Sequence, residues 1–438
     1  MKYVFLQILA FFYFVGPVFN SLGAWADTIP VTSILLFLFF YRKSRGLIYL
    51  DFSFYIYGII AIPFIVGSLF LVMDGIDGMI LLRTCLKPIR ILATLLGGYS
   101  LVGLVRIFFP DRGLKIILAL VAGSFALHGG IMILQWFSPE FKDFVYSYTT
   151  TGEYRSTFEY NFRMGGISGQ TGGAILSVAQ ALGFISLVFA FALNCARPIF
   201  YWIMMGIGIF ASILLCGRSG ILCVAVFSFV ATLSIGTFKR RLFMLSAYFF
   251  MFFFVIFIIS SIFAFVSNSG NEDGVLFTTR YALARNVDFL LNDSGGVEDR
   301  FGTIFAIWRM IHLPGDPFIL LFGDLREIYD RFSESDIGYI RDIVSLGVIG
   351  IFFYYLPAVS SSVLAAKLSR VNHKCSTVAK MFLVVVAIVW IFHAKELFLY
   401  SRVIMSVYSV FYALLVFEQR DYQAQQLLAE RKRISFIP

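Results

Sequence analysis

The chain has 438 residues, 59% of them hydrophobic and only 14% charged, against about 25% charged in an ordinary soluble domain. No soluble core hides that much apolar surface, so lipid must serve as part of the solvent. The formal charge of +9 does not point to nucleic acid: the basic residues form no single stripe but fall in short clusters between apolar runs, as membrane topology signals do.

In chain order, the apolar runs predict about twelve spanning segments, at roughly 3–22, 28–41, 52–73, 86–108, 114–136, 171–194, 198–216, 220–238, 242–266, 343–362, 378–394 and 397–417. Lys2 ahead of the first run and Ala24-Trp25-Ala26 after it have the outline of a cleavable signal peptide. That run is long for such a peptide and another apolar segment follows at once, so an uncleaved first span is expected. The five cysteines show no C-x-x-C spacing, and the four histidines are scattered. Neither disulfides nor a metal site is expected. The basic clusters Arg42/Lys43/Arg45, Arg106/Arg112/Lys115, Arg197, Lys239-Arg240-Arg241, Lys367/Arg370/Lys374 and Arg431-Lys432-Arg433 all fall on one side if both termini are cytoplasmic. The expected organisation is therefore one integral membrane domain over 1–438, all-α and multi-pass.

Two segments are too long and polar for simple turns, 137–170 and 267–342, and both are expected outside. The second holds thirteen of the 26 acids and seven arginines, Arg280, Arg285, Arg300, Arg309, Arg326, Arg331 and Arg341, with no lysine. Such a mixture makes a salt-bridged cap; the exclusive use of Arg also suits bidentate binding of phosphate or carboxylate. The stretch SDIGYIRDIVSLGVIG (335–350) is the expected re-entry into the membrane. Its acids lie near a helix N-terminus, where the dipole favours them. Gly347 and Gly350 are read as small residues allowing close helix packing.

Several cations stand where the positive-inside trend does not place them. Arg83, Lys87 and Arg90, at i, i+4, i+7, form one stripe of a helix. Arg218 lies in the tight turn LLCGRSG (214–220), Arg402 about one turn inside the last span, and Arg163 at the end of the smaller loop. Arginine at membrane depth is costly and points to function; headgroup anchoring and snorkelling are the structural alternatives. Asp74 and Asp77 in MDGIDG read as turn formers.

The stretches FRMGGISGQTGG (162–173), LLCGRSG (214–220) and LFGDLREIYDRFSESDIGYIRDIVSLGVIG (321–350), with the two-loop plan, resemble the Wzy-type O-antigen and polysaccharide repeat-unit polymerases. That family is related to the O-antigen ligases. An Arg-to-Gly spacing of the family's outer loops is matched by Arg155 with Gly166 and Arg285 with Gly296. The resemblance implies a GT-C-like, metal-independent glycosyltransferase without cofactor, in the bacterial inner membrane. Its substrate would be undecaprenyl-pyrophosphate-linked oligosaccharide, with membrane lipids around it, and a chain-length regulator and a flippase as partners. A sugar hydroxyl of one repeat unit would attack the anomeric carbon of the growing chain, and lipid pyrophosphate would leave. Arg163, Arg218, Arg280, Arg285, Arg326, Arg341, Arg402, Arg83, Lys87 and Arg90 are candidates to hold pyrophosphate or glycan. Asp336, Glu334, Glu396 and His393 are candidate bases, and the residues do not choose among them. The alternatives are an O-antigen ligase, whose His-centred motif SDIGYI lacks, and a lipid-linked sugar flippase. A flippase suits twelve spans, but not a long polar loop or the absence of matching halves.

Overall fold

The computed structural model describes residues 2–19, 27–44, 55–73, 75, 78–150, 164–168, 173–193, 199–235, 311, 313–328, 337–371 and 374–434; side chains of a few positions within these, Arg83 and Arg218 among them, are not described. The described residues are helical, with no strand beyond isolated bridges. The helices are α1 (Lys2–Val15), α2 (Thr28–Lys43), α3 (Ala61–Met73, led by a 3₁₀ turn at Ile56–Ile60), α4 (Gly78–Phe108), α5 (Gly113–Phe137), α6 (Pro139–Tyr148), α7 (Gly173–Ala192), α8 (Ile199–Cys216) and α9 (Arg218–Ser234). After them come α10 (Pro317–Phe322, with a 3₁₀ turn at Leu325–Ile328), α11 (Gly338–Leu368), α12 (Lys374–His393) and α13 (Arg402–Ile434). Seven stretches, Ile56–Met73, Thr84–Phe108, Gly113–Phe137, Gly173–Ala192, Gly338–Leu368, Lys374–His393 and Arg402–Glu430, are long and apolar enough to cross a bilayer. Three shorter helices, Lys2–Val15, Phe200–Cys216 and Ser219–Ser234, are also apolar. Among the described residues the chain is thus all-helical, with the long apolar helices of a multi-pass membrane protein. The expected span at 242–266 lies outside the described residues.

The chain divides into two compact units, residues 1–32 with 112–308, and 33–111 with 309–438. In the first, α5 packs on α1, α7 and α8, and α9 lies along α7. Polar groups join the helices: Gln7 donates to Ser124 Oγ at 3.1 Å, and the Gly220 amide donates to Ser177 Oγ at 3.1 Å. A side chain on Gly220 would overlap the Ser177 carbonyl, so this glycine sets how closely α9 and α7 approach.

In the second unit α13 lies along α4 and α12, and α11 packs on α3, α10 and α12. Helix α11 differs from the uninterrupted span expected at 343–362. It starts at Gly338 and is broken at Gly347, whose φ is 65°. Gly323, with φ 78°, abuts the break: a methyl on either glycine would overlap backbone of the other's segment. The Asp324 amide donates to the Val344 carbonyl at 2.8 Å, satisfying an acceptor that the break withdraws from the helix. Gly347 is therefore a conformational requirement, whereas Gly350, with Pro63 beside it, has the packing role expected of both.

Candidate functional site

The second unit gathers charge at the junction of α11 and α12. Gly338, with no side chain, lies against the carbonyls of His393 and Glu396 and the His393 ring. That brings the first turn of α11 onto the last turn of α12. Asp342, one turn further along α11, then meets His393 at 2.9 Å between Oδ2 and Nε2. Both side chains are almost wholly buried. The Tyr355 hydroxyl donates to the same Oδ2 at 2.7 Å and lies 3.1 Å from Nε2.

The break at Gly347 makes the Tyr355 contact. Asp342 and Tyr355 are thirteen residues apart in α11, which on an unbroken helix is about 20 Å along the axis. The backbone also settles the imidazole tautomer. The amides of Phe398 and Leu399 donate to His393 Nδ1 at 3.0 and 3.1 Å. Nδ1 is therefore an acceptor, and Nε2 carries the proton that Asp342 accepts. Close by, Tyr400 takes a positive φ of 58° and donates from its hydroxyl to the Tyr354 carbonyl at 3.0 Å. Positive φ is uncommon outside glycine, and such residues cluster at functional sites.

Aromatic rings wall the cluster. Tyr339 meets His393 edge-on at 4.6 Å, stacks with Trp390 at 6.3 Å and donates to the Trp390 carbonyl at 2.6 Å. Trp390 meets Tyr355 edge-on at 5.2 Å. Cations complete it. Lys87 Nζ stands over the rings of Phe64 and Tyr354 at 5.5 and 5.9 Å, within electrostatic range of Asp342, Arg90 and Arg341. The Arg341 Nε is buried with no hydrogen-bond acceptor among the described residues.

Of the residues singled out from sequence, His393, Arg341, Lys87 and Arg90 come together here. Glu396 adjoins the cluster through its backbone carbonyl, and Arg402 opens α13. Arg326 is exposed and turns to Asp324 in its own turn, with Nε at 2.8 and 2.7 Å from the two carboxylate oxygens. Arg83 lies on α4, and Arg218 begins α9 in the first unit. Asp336, Glu334, Arg163, Arg280 and Arg285 lie outside the described residues. Sequence reasoning passed over Asp342, Tyr355 and Tyr339. Asp342 was one of thirteen acids in a loop; its signal was its place inside an apolar helical run rather than ahead of it.

No protein-family model and no curated protein matches the chain. What the arrangement offers chemically is a buried carboxylate with fixed donors, an aromatic wall, and three cations suited to an anion. These groups stand in helices apolar enough to lie in lipid.

Proposed function

We propose that the protein is a membrane glycosyltransferase that joins undecaprenyl-pyrophosphate-linked oligosaccharide repeat units into surface polysaccharide. It would work in the bacterial inner membrane, with both termini cytoplasmic, about twelve GT-C-like spans, and 137–170 and 267–342 outside. The observation that carries this reading is Lys87 within electrostatic range of Arg90, Arg341 and Asp342, the last of them hydrogen-bonded to His393. A glycosyl transfer that expels a lipid pyrophosphate needs cations for the leaving group and a carboxylate or imidazole for the acceptor hydroxyl. The resemblance of residues 321–350 to the polymerase family supports the same conclusion, because that stretch leads into the cluster. Arg218, at the start of α9, is a separate anion candidate: helix N-termini favour phosphate.

One observation favours an O-antigen ligase as second reading. The His that the SDIGYI stretch lacks is contributed by α12, with Gly338 against its ring.

Glycan analysis of a deletion strain separates the readings. A polymerase leaves single repeat units on the lipid A-core, which the restored gene converts to long chains. A ligase leaves long chains on the lipid carrier, and a flippase leaves repeat units facing the cytoplasm; either result overturns the polymerase reading. Reporters fused after Glu298 and after Arg370 should report outside and inside respectively.

A further inference from the structure

We infer that Asp342 is the base that takes the proton of the acceptor sugar hydroxyl, with His393 and Tyr355 as its positioning residues; this rests on the glycosyl-transfer reading. The hydrogen bonds distribute the roles. His393 has no free nitrogen: Nδ1 accepts two backbone amides, and Nε2 already holds a proton that it gives to Asp342. For His393 to take a second proton, Nδ1 would have to lose both amides and leave them unpaired in a buried site. The Tyr355 hydroxyl likewise spends its proton on Asp342. Both donors converge on Oδ2, and no hydrogen bond or ion pair reaches Oδ1 among the described residues. The carboxylate is thus held by one oxygen and keeps the other to accept.

The cations Lys87, Arg90 and Arg341 stand in the same neighbourhood. They provide for the anion that departs. In the step itself the acceptor O–H bond breaks and its proton passes to Oδ1. The acceptor oxygen bonds to the anomeric carbon, the bond from that carbon to the pyrophosphate oxygen breaks, and lipid pyrophosphate leaves with the electron pair. Asp342 then returns the proton to water.

The contrast between Asp342→Asn and Asp342→Glu tests the assignment. Asn matches the shape and can accept from both His393 and Tyr355, but it cannot take a proton. Glu keeps the base and disturbs the packing. The full-length protein in lipid nanodiscs is assayed with undecaprenyl-pyrophosphate-linked repeat units extracted from the deletion strain. The expected result is a kcat about a hundredfold or more below wild type for Asn, with KM little changed, and Glu more active than Asn. Asn near wild type, or Asn more active than Glu, means that the carboxylate only holds structure and overturns the assignment. If Asp342→Asn fails to accumulate, Asp342→Ala is assayed with and without formate; turnover that formate does not raise also overturns it. Wild-type protein that turns over no lipid-linked saccharide overturns the glycosyl-transfer reading itself, and the assignment with it.

Discussion

Among the described residues two histidines are buried, one in each unit, and they are used differently. His128, in α5, takes the Ile167 amide on Nε2 at 3.3 Å and faces the Gln180 amide with Nδ1 at 2.5 Å. Gly166, with φ 63°, turns the 164–168 segment against this ring, and Gln135 donates to its carbonyl at 3.4 Å. Every one of these partners is neutral. His393 also accepts backbone amides, yet its other nitrogen faces a carboxylate with cations near. Burial alone therefore does not mark a reactive histidine. A neutral ring between an amide side chain and a backbone N–H fastens a loop; a ring that holds a carboxylate leaves a charged group in place for chemistry.

The sharpest break between the two is His393→Ala against His128→Ala. In glycan-elongation assays normalised to folded protein, His393→Ala should fall about a hundredfold, because the base Asp342 loses the donor that orients it and with it much of the acid–base contribution. His128→Ala should stay within about twofold. Comparable losses from both would erase the distinction. The next largest effect is Gly347→Ala. A methyl there meets backbone of Leu321 and Gly323 and opposes φ 65°, so a loss of about 3 kcal/mol or more is expected, read as a lowered thermal midpoint in detergent. Normal stability with reduced turnover would mean that the break serves only to aim Tyr355.

His128→Ala itself should lower stability by roughly 2–3 kcal/mol, because the Ile167 amide and Gln180 lose their partner in a buried place. The same thermal assay reads it. The smallest effect is Tyr355→Phe. It removes one of two donors to Asp342 and keeps the ring against Trp390, so kcat should drop roughly threefold to tenfold, as the loss of about 1 kcal/mol implies. A drop as deep as that of His393→Ala would promote Tyr355 from positioning residue to proton carrier.

The membrane character was legible because apolar composition and run length leave little choice of solvent, and most helices fall where those runs predict them. What the sequence could not convey was the interruption of α11. Gly347 sits in an apolar, glycine-spaced run that reads as an ordinary packing face, and only the opposing Gly323 reveals a break. The Asp342–Tyr355 pair follows from that break, so helical periodicity was bound to keep the two apart. His393 was legible as a candidate, since it stands with Lys395 and Glu396 in the turn before the last span. Its tautomer was not, because two backbone amides in the following turn decide it. Lys87 and Arg90 were visible as a stripe, but the partner of a charged stripe lies on another helix and periodicity is silent about it.

Helix α13 also serves as a depth gauge. Its arginines Arg402 and Arg420 stand 18 residues apart, about 27 Å at 1.5 Å per residue, close to the roughly 30 Å of a bilayer's hydrocarbon. The residues between them are mostly buried and apolar. Arg420 donates to the Tyr99 hydroxyl at 2.9 Å, and Arg106 pairs with Asp421, marking one waterline. Arg402 marks the other, and the Phe398 and Leu399 amides that hold His393 come just before it in the chain. The buried carboxylate therefore lies toward the Arg402 end of this apolar stretch rather than at its middle. On the proposed glycosyl-transfer reading, a sugar would enter from water at that end while its lipid tail stayed in oil.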